Sequence, residues 1–302
     1  MKVGSLQYGV IFKKAFCDPE IFKPFIDDFF GIDIKINTVE TEKSFYPPVG
    51  YVNCRFDLYA EDSVNRIILD VQHVRHFDHF HRFLYYHCIA MLEQIKNSND
   101  YFPAQTIFTL VVLTSGDKHK KDIGVIDFDP KDLQGNPFNE ISHKIMYVCP
   151  KYVNEKTPEP IRQWLIAIDD SLDGEVDVSQ YDRPEIKKIF ERIQKDDITP
   201  DERAAMIDEY SYGLLEKAAL EKGMKKGMEK GMEKGMEKGM EKGMEKGMEK
   251  GIEQGIEQGI KNLAIRMLSE KTYSHQQISK ITELSLENIR ELSLSIQKER
   301  DC

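Results

Sequence analysis

Apolar and polar positions along residues 7–72 change from helical to strand spacing. Residues 7–30 place apolar side chains at helical spacing, which predicts two short helices broken at Asp18-Pro19. Beyond them, alternating or continuous apolar runs are typical of strands. The predicted strands cover residues 32–40, 50–60 and 65–72.

The helical period returns near residue 78 and then gives way to further strands. An apolar stripe over 78–96 predicts one amphipathic helix, and the run 105–114 predicts a strong central strand. Residues 143–149 indicate another strand, and residues 158–172 indicate a helix with prolines near its start. The order helix, strand, strand, strand, helix, strand predicts an α/β domain whose mixed sheet is flanked by helices.

The chain has 302 residues, a formal net charge of −10 and a pI near 5.4. This acidity excludes a protein that binds nucleic acid through bulk positive charge, so any DNA contact must be local or assisted by a divalent cation. The N-terminus lacks signal-peptide character, and no apolar run approaches the roughly 20 residues that span a bilayer. The five scattered cysteines include no C-x-x-C pair and are typical of reduced core residues. We therefore expect a cytoplasmic protein without membrane contact.

The composition changes near residue 201, where a helical segment leads into ten tetrads of the G-M-E-K type between Gly223 and Ile260. Glycine weakens an isolated helix by about 1 kcal/mol per residue relative to alanine, but it allows two backbones to approach closely. Two interpretations stay open: a tolerated linker, or a helical rod through which the protein forms a homo-oligomer. The predicted division is a domain over 1–200, a repeat segment over 201–262 and a helical tail over 263–302.

The tail carries the capping signals of two short helices. Ser274 with Gln277 forms a capping-box pattern, and Ser285 is placed to cap a second helix. Two such helices resemble a helix-turn-helix unit. The second helix has two glutamates within residues 287–291, which is a poor charge pattern for reading a major groove. Packing or assembly is therefore favoured over DNA reading, although both remain open.

Three polar side chains lie near the ends of two predicted strands that a short hairpin joins. Side chains alternate across a strand, so Asp70 and Gln72 share one face of the third strand. Asp57 lies on the second strand, where it can come beside Asp70 at the same end of the sheet. Two such carboxylates repel each other unless a cation lies between them, and Mg²⁺ takes one or two carboxylates, waters and a phosphate. The alternative is a pair of turn-end carboxylates hydrogen-bonded to backbone.

The strand order and several short motifs together point to one protein family. The order αβββαβ carries an Asp on the second strand and D-V-Q on the third. The further motifs are "VIFKKAF" (10–16), "LDVQ" (69–72), "HRFLYYH" (81–87), the tetrads, and "ISKITELSLENI" (278–289). Over most of its length the chain thus resembles the recombination-promoting nuclease/putative transposase family of the PD-(D/E)XK nuclease superfamily. The resemblance implies a restriction-endonuclease-like core with a C-terminal helical extension.

That resemblance also implies hydrolysis of phosphodiester bonds in DNA, dependent on Mg²⁺ or Mn²⁺ and associated with transposition or recombination. Asp57 matches the first metal ligand and Asp70 the second. Gln72 occupies the position that is Lys in the wider superfamily, and these three residues are the expected catalytic set. The candidate contacts for the substrate phosphate are Arg82, Tyr86 and Lys13.

Departures from the family pattern bear on activity. Gly9 stands where relatives often carry Asp, and Asp70 replaces the more usual Glu, which shortens the reach to a metal by one methylene. Gln72 instead of Lys removes a positive charge that would stabilise the developing charge on the phosphate. These departures motivate a second hypothesis, in which a catalytically weak or inactive nuclease-fold protein acts as a binding and self-association module.

Histidines are concentrated around the third strand and the helix that follows it. His87 falls within the apolar stripe of that helix, so we expect it to be buried and hydrogen-bonded. The remaining histidines of this region are His73, His76, His79 and His81. None of them forms the i, i+4 pair on a regular helix that a zinc site favours. A zinc-binding structural module is a third hypothesis, which depends only on the number of histidines.

Overall fold

The computed structural model describes residues 1–45, 54–73, 78–94, 102–270 and 272–300. Within those residues six strands form one mixed sheet. The strands are β1 (Glu40–Phe45), β2 (Cys54–Glu61), β3 (Asn65–Gln72), β4 (Thr106–Leu113), β5 (Ile123–Asp127) and β6 (Lys144–Val148). Their order across the sheet is β1-β2-β3-β4-β6-β5, so β4 lies in the interior of the sheet as predicted.

Eight α-helices are present in the same described ranges. They are α1 (Gly9–Phe16), α2 (Pro19–Phe30), α3 (His79–Leu92), α4 (Ile161–Asp170), α5 (Pro184–Arg192), α6 (Pro200–Glu270), α7 (His275–Thr282) and α8 (Leu286–Arg300). Helices and a mixed sheet follow one another along the chain, and a long helix lies C-terminal to the last strand. The predicted mixed α/β architecture is therefore confirmed.

Local sequence signals determine where α1 ends and α2 begins. The Asp18 carboxylate caps α2 by accepting the backbone N–H of Glu20, and Pro19 occupies the first turn. α2 ends at Gly31, whose φ of 67° lies in the left-handed region that glycine adopts without a Cβ penalty. The predicted break at Asp18-Pro19 is confirmed.

Helices cover both faces of the sheet. On one face α1, α2, α4 and α5 enclose a core that includes Phe12, Trp164 and Leu69. On the other face α3 packs Phe83 and Ala90 against the strands. Full burial of a Leu or Phe side chain, such as Leu69, Phe12 or Phe83, stabilises the fold by about 1.5–3 kcal/mol. The two layers therefore hold the strands firmly on both sides.

The pairings of β3 determine where its polar end lies. β2 and β3 form an antiparallel hairpin through a turn at Asp62, whose carboxylate accepts the backbone N–H groups of Val64 and Asn65. β3 then runs parallel to β4, and α3 lies between them in the sequence as a parallel crossover requires. The residues that end β3 consequently pair with β4, just past the last β2–β3 pair, Leu58 with Leu69.

The predicted strand over residues 32–40 is wrong, because the first strand forms at β1 instead. Ile34 and Ile36 are buried in the core, which produces the strand-like alternation. Between them, the backbone N–H of Lys35 donates to the Asp62 carboxylate and not to a neighbouring strand. The apolar alternation in this segment therefore reflects burial of one face and not pairing with a neighbouring strand.

Other predicted elements differ from the structure mainly at their ends. The predicted strand over 50–60 is present as β2, and its residues 50–53 lie outside the described ranges. The predicted helix over 78–96 is present as α3, with residues 95 and 96 likewise outside them. The sequence analysis does not predict β5, a short strand of five residues that are all partly or fully exposed.

The chain divides into two compact units, residues 1–216 and 217–302. The predicted boundaries at residues 200 and 262 stay predictions. None of the helices in the described ranges combines the length and the apolar character that a membrane span requires.

In the second unit, α7 and α8 pack with the end of α6. Their shared core consists of Ala264, Met267, Ile278 and Ile289. The predicted capping box is confirmed, because the Ser274 side chain accepts the backbone N–H of Gln277 and the Gln277 side chain accepts that of Ser274. Ser285 also accepts the backbone N–H of Asn288 at 3.1 Å, as a cap of α8.

Candidate active site

Asp57 of β2 and Asp70 of β3 lie across from each other where the two strands separate. The ladder pairs Leu58 with Leu69, so one further step of the register sets Asp57 opposite Asp70. The backbone N–H of Asp57 donates to Oδ2 of Asp70 at 3.4 Å, and the N–H of Val71 donates to Oδ2 of Asp57 at 3.0 Å. Each carboxylate thus uses one oxygen to bind the other strand, as the alternative of backbone-bonded carboxylates expected.

Burial makes this pair of carboxylates costly to ionise. Asp70 is only 4% exposed, and burial together with repulsion from Asp57 raises its pKa well above the ordinary 3.8. Burial also raises the pKa of Asp57, against the opposing effects of the Val71 N–H and the Lys13 charge. A cation bound between the carboxylates would offset both burial and repulsion. Because Mg²⁺ needs only one or two carboxylates and completes its shell with water, Asp57 and Asp70 fit such an ion.

Gln72, Arg82 and Tyr86 form a contiguous polar group at the Asp70 side of the pair. The Gln72 amide donates to Oδ1 of Asp70 at 3.2 Å. Arg82 of α3 places Nη1 3.5 Å from Oε1 of Gln72, and its charge lowers the pKa of Asp70 against the effect of burial. The Nε of Arg82 donates to the Tyr86 hydroxyl at 3.3 Å, and the guanidinium lies 5.3 Å from the centre of the Tyr86 ring. The structure therefore brings these three predicted residues together around Asp70.

Lys13 approaches the pair from the other side, next to Asp57. Its Nζ lies 3.9 Å from Oδ1 of Asp57 and forms an ion pair with Glu42 of β1. In the β1–β2 register Glu42 falls opposite Asp57, and it also pairs with Arg55. The φ of Glu42 is 59°, in the left-handed region that few residues other than glycine adopt. Sequence patterns miss Glu42, because the strand that carries it is predicted too early in the chain.

A second carboxylate that no motif indicates is that of Glu209 in α6. Both of its oxygens accept the backbone N–H of Gly9, at 3.2 and 2.9 Å. A Cβ at Gly9 would lie 3.8 Å from Oδ1 of Asp57 and 3.8 Å from Oε2 of Glu209, so this glycine lies between the two carboxylates. Glu209 is exposed as a residue, and local desolvation of its carboxylate together with the Asp57 charge raises its pKa. The separation of 200 residues between Gly9 and Glu209 explains why a local pattern could not reveal the contact.

The histidines occupy separate environments. His87 is fully buried with its Nδ1 2.8 Å from the Thr109 hydroxyl, so its predicted buried, hydrogen-bonded state is confirmed. Nδ1 of His73 lies 3.0 Å from the hydroxyl of Thr114, and His76 lies outside the described residues. Within the ranges that the structure describes, no group of three or more His, Cys, Asp or Glu side chains is placed to hold a metal ion. A metal bound here would rely on two carboxylates and solvent.

No protein-family model, curated protein or solved structure matches this chain. The chemistry of the site is therefore inferred from the residues that form it. A carboxylate pair, buried at Asp70 and half-buried at Asp57, lies between an ammonium group from α1 and a guanidinium group from α3. Carboxylates suit a divalent cation, and guanidinium suits the oxygens of a phosphate.

Proposed function

We propose that this protein is a metal-dependent DNA endonuclease that hydrolyses phosphodiester bonds in the course of transposition or recombination. The proposal includes a restriction-endonuclease-like αβββαβ core formed by α1, β1, β2, β3, α3 and β4. The observation that carries it is the pair of the half-buried Asp57 and the buried Asp70, with Lys13 on one side and Arg82 on the other. Such a site offers carboxylate oxygens to a cation and positively charged side chains to a phosphate.

Each residue of the site has a separate role in the proposed hydrolysis. Asp57 and Asp70 would hold Mg²⁺, or Mn²⁺ in its place, which would supply Lewis-acid polarisation of the phosphate and a bound water of lowered pKa. Gln72, already hydrogen-bonded to Asp70, would orient the attacking water. The Arg82 guanidinium, stacked on Tyr86, can donate two parallel hydrogen bonds to phosphate oxygens. Lys13 would add a positive charge next to Asp57.

DNA as the substrate must be reconciled with a formal net charge of −10. The positive charges that matter are local: Lys13 and Arg82 flank the carboxylates, and the Arg55 side chain is 68% exposed beside Glu42. With so few cations at the site, contacts would be confined to the phosphates next to the cleaved bond. The salt dependence of binding should therefore be shallow, because its slope grows with the number of phosphates neutralised. We place this reaction in the cytoplasm.

A second candidate function is binding and self-association on the same fold, with little or no catalysis. The methionines of the tetrads are 63–76% exposed, and the isoleucines Ile252 and Ile256 are 57% and 59% exposed. A row of exposed apolar side chains on a helix is typical of an association surface. In the favoured proposal this surface makes the nuclease a homo-oligomer, and in the second candidate it is the main function.

Cleavage of a supercoiled plasmid tests the proposed function. The wild type should nick or linearise the plasmid with Mg²⁺ or Mn²⁺ and should be inactive in EDTA. Asp70→Ala should abolish cleavage, because it removes one of the two carboxylates that would hold the cation. Asp27→Ala is a matched control, since Asp27 is an exposed acid on α2 within the same unit.

The outcomes separate the two candidate functions. Cleavage that survives Asp70→Ala would refute the assigned site. A wild type that is inactive with every metal, yet self-associates, would favour the binding module.

A further inference from the structure

The start of α1 is held by a residue from a distant helix. Tyr8 at the N-cap makes no side-chain capping hydrogen bond, and the first turn of α1 contains no acidic residue. Glu209 of α6 instead accepts the Gly9 N–H with both carboxylate oxygens, at 3.2 and 2.9 Å. A carboxylate at this position also meets the positive end of the helix dipole, which favours the contact.

This contact lies one helical turn from the site. Gly9 and Lys13 are separated by four residues, so they lie on the same side of α1. Lys13 places its Nζ 3.9 Å from Oδ1 of Asp57, and a Cβ at Gly9 would itself lie 3.8 Å from that oxygen. The position of the first turn of α1 therefore determines where the Lys13 ammonium lies relative to Asp57.

We propose that Glu209 is a positioning residue for the proposed phosphodiester hydrolysis: it fixes the start of α1 and thereby holds Lys13 beside Asp57. The inference rests on the proposed function and assigns to it a residue from outside the αβββαβ core. The space that a side chain at position 9 would fill next to Asp57 is approached by Glu209 instead. Glu209 acts through the backbone of Gly9 and does not need to touch the substrate.

A second tether between the same two helices provides a control. Glu202 of α6 forms an ion pair of 2.9 Å with Lys14 of α1. Lys14 also donates to the backbone carbonyl of Asp197 and so is directed away from Asp57. Loss of Glu202 should lower stability through the α1–α6 packing without displacing Lys13.

The experiment compares Glu209→Ala, Glu209→Gln and Glu202→Ala in the full-length protein. In single-turnover plasmid cleavage with Mg²⁺, Glu209→Ala should lower the rate by roughly 10-fold to 100-fold, since a displacement of about 1 Å can cost that much. Its apparent affinity for the DNA should stay near that of the wild type. Glu209→Gln should recover most of the rate, because the amide oxygen still accepts the Gly9 N–H. Glu202→Ala should cleave at the wild-type rate.

Hydrogen exchange measured by mass spectrometry on the peptide that covers α1 gives a readout independent of cleavage. Exchange at the start of α1 should be faster in Glu209→Ala than in the wild type, and Glu209→Gln should restore protection. An unchanged rate or unchanged α1 exchange in Glu209→Ala, with an active wild type, would overturn this inference alone. Equal losses of rate in Glu209→Gln and Glu209→Ala would also overturn it, because they would show that the charge itself acts. A wild type without metal-dependent cleavage would overturn the proposed function and this inference with it.

Discussion

Asp57 and Asp70 are linked through each other's strands: the Asp57 N–H donates to the Asp70 carboxylate, and the Asp57 carboxylate accepts the N–H of Val71, next to Asp70. Where β2 and β3 separate, each of these carboxylates accepts a backbone N–H of the other strand. Their carboxylates are thereby fixed close together although burial raises the pKa of both, and repulsion from Asp57 raises that of Asp70 further. Paired carboxylates with raised pKa values are found most often at functional sites.

Replacing Asp70 by Asn should stabilise the protein while abolishing cleavage. The amide has almost the same shape and can still accept the Asp57 N–H, but it carries no charge into the buried site. We expect the melting temperature without divalent cations at pH 7 to rise by a few degrees, since about 1 kcal/mol corresponds to about 2–4 °C in a domain of this size. Thermal unfolding by circular dichroism checks this expectation, and a lower melting temperature than that of the wild type would contradict it.

The pH dependence of stability should differ between wild type and Asp70→Asn. Because the pKa of Asp70 is raised in the folded state, the folded protein binds more protons than the unfolded chain between the ordinary 3.8 and the raised value. Wild-type stability should therefore fall as pH rises through that window, and the loss should be complete above it. In Asp70→Asn the fall should be smaller. Urea unfolding over a pH series measures both slopes, and parallel slopes would show that Asp70 is not the group responsible.

Arg82→Ala should lower the single-turnover cleavage rate by about 100-fold, as expected for loss of one strong donor to a developing phosphate charge. Arg82→Lys should recover little of this rate, because an ammonium group lacks the planar fork of guanidinium. Tyr86→Phe keeps the ring that the guanidinium stacks on and loses only the hydroxyl that accepts the Nε–H, so it should lower the rate less than Arg82→Ala does. Arg82→Ala that cleaves at the wild-type rate would remove Arg82 from the proposed site.

Deleting residues 223–259 should weaken self-association and leave cleavage per active site unchanged. Glycine in every tetrad makes the lone helix weak, and the like and opposite charges along it nearly cancel, at about 0.2–0.5 kcal/mol per pair. Burial of the exposed Met and Ile side chains against a second chain is the remaining source of stability, at up to about 1.5–3 kcal/mol per side chain. Sedimentation equilibrium should show at least a dimer for the full-length protein and a smaller mass for the deletion. Equal oligomeric states would favour the interpretation of the repeat as a linker.

Residues whose patterns are determined locally could be predicted from the sequence. The continuous apolar run of β3, the stripe of α3 and the cap at Asp18 each reflect a periodicity or a backbone hydrogen bond within a few residues. The proximity of Asp57 and Asp70 could also be predicted from the sequence, because a short hairpin allows few possible strand registers.

The rest of the site depends on contacts between distant segments. The alternation of Ile34 and Ile36 reflects burial without strand pairing, so β1 was predicted too early and Glu42 was missed. Glu209 contacts Gly9 across 200 residues, and the polar stretch around it carries no distinguishing pattern. Such residues become visible only when helices and strands are packed together.

The most direct measurement is a calorimetric titration of Mn²⁺ into the wild type, Asp57→Asn and Asp70→Asn, in the buffer used for plasmid cleavage. If Asp57 and Asp70 together hold the cation, the wild type should bind Mn²⁺ with a Mg²⁺-competable site. Each variant should bind at least about 100-fold more weakly, because even residues outside the coordination sphere can change affinity by about 10-fold to 100-fold. Equal Mn²⁺ affinity in all three proteins, or no binding by the wild type, would contradict the assignment of these two carboxylates as a cation site.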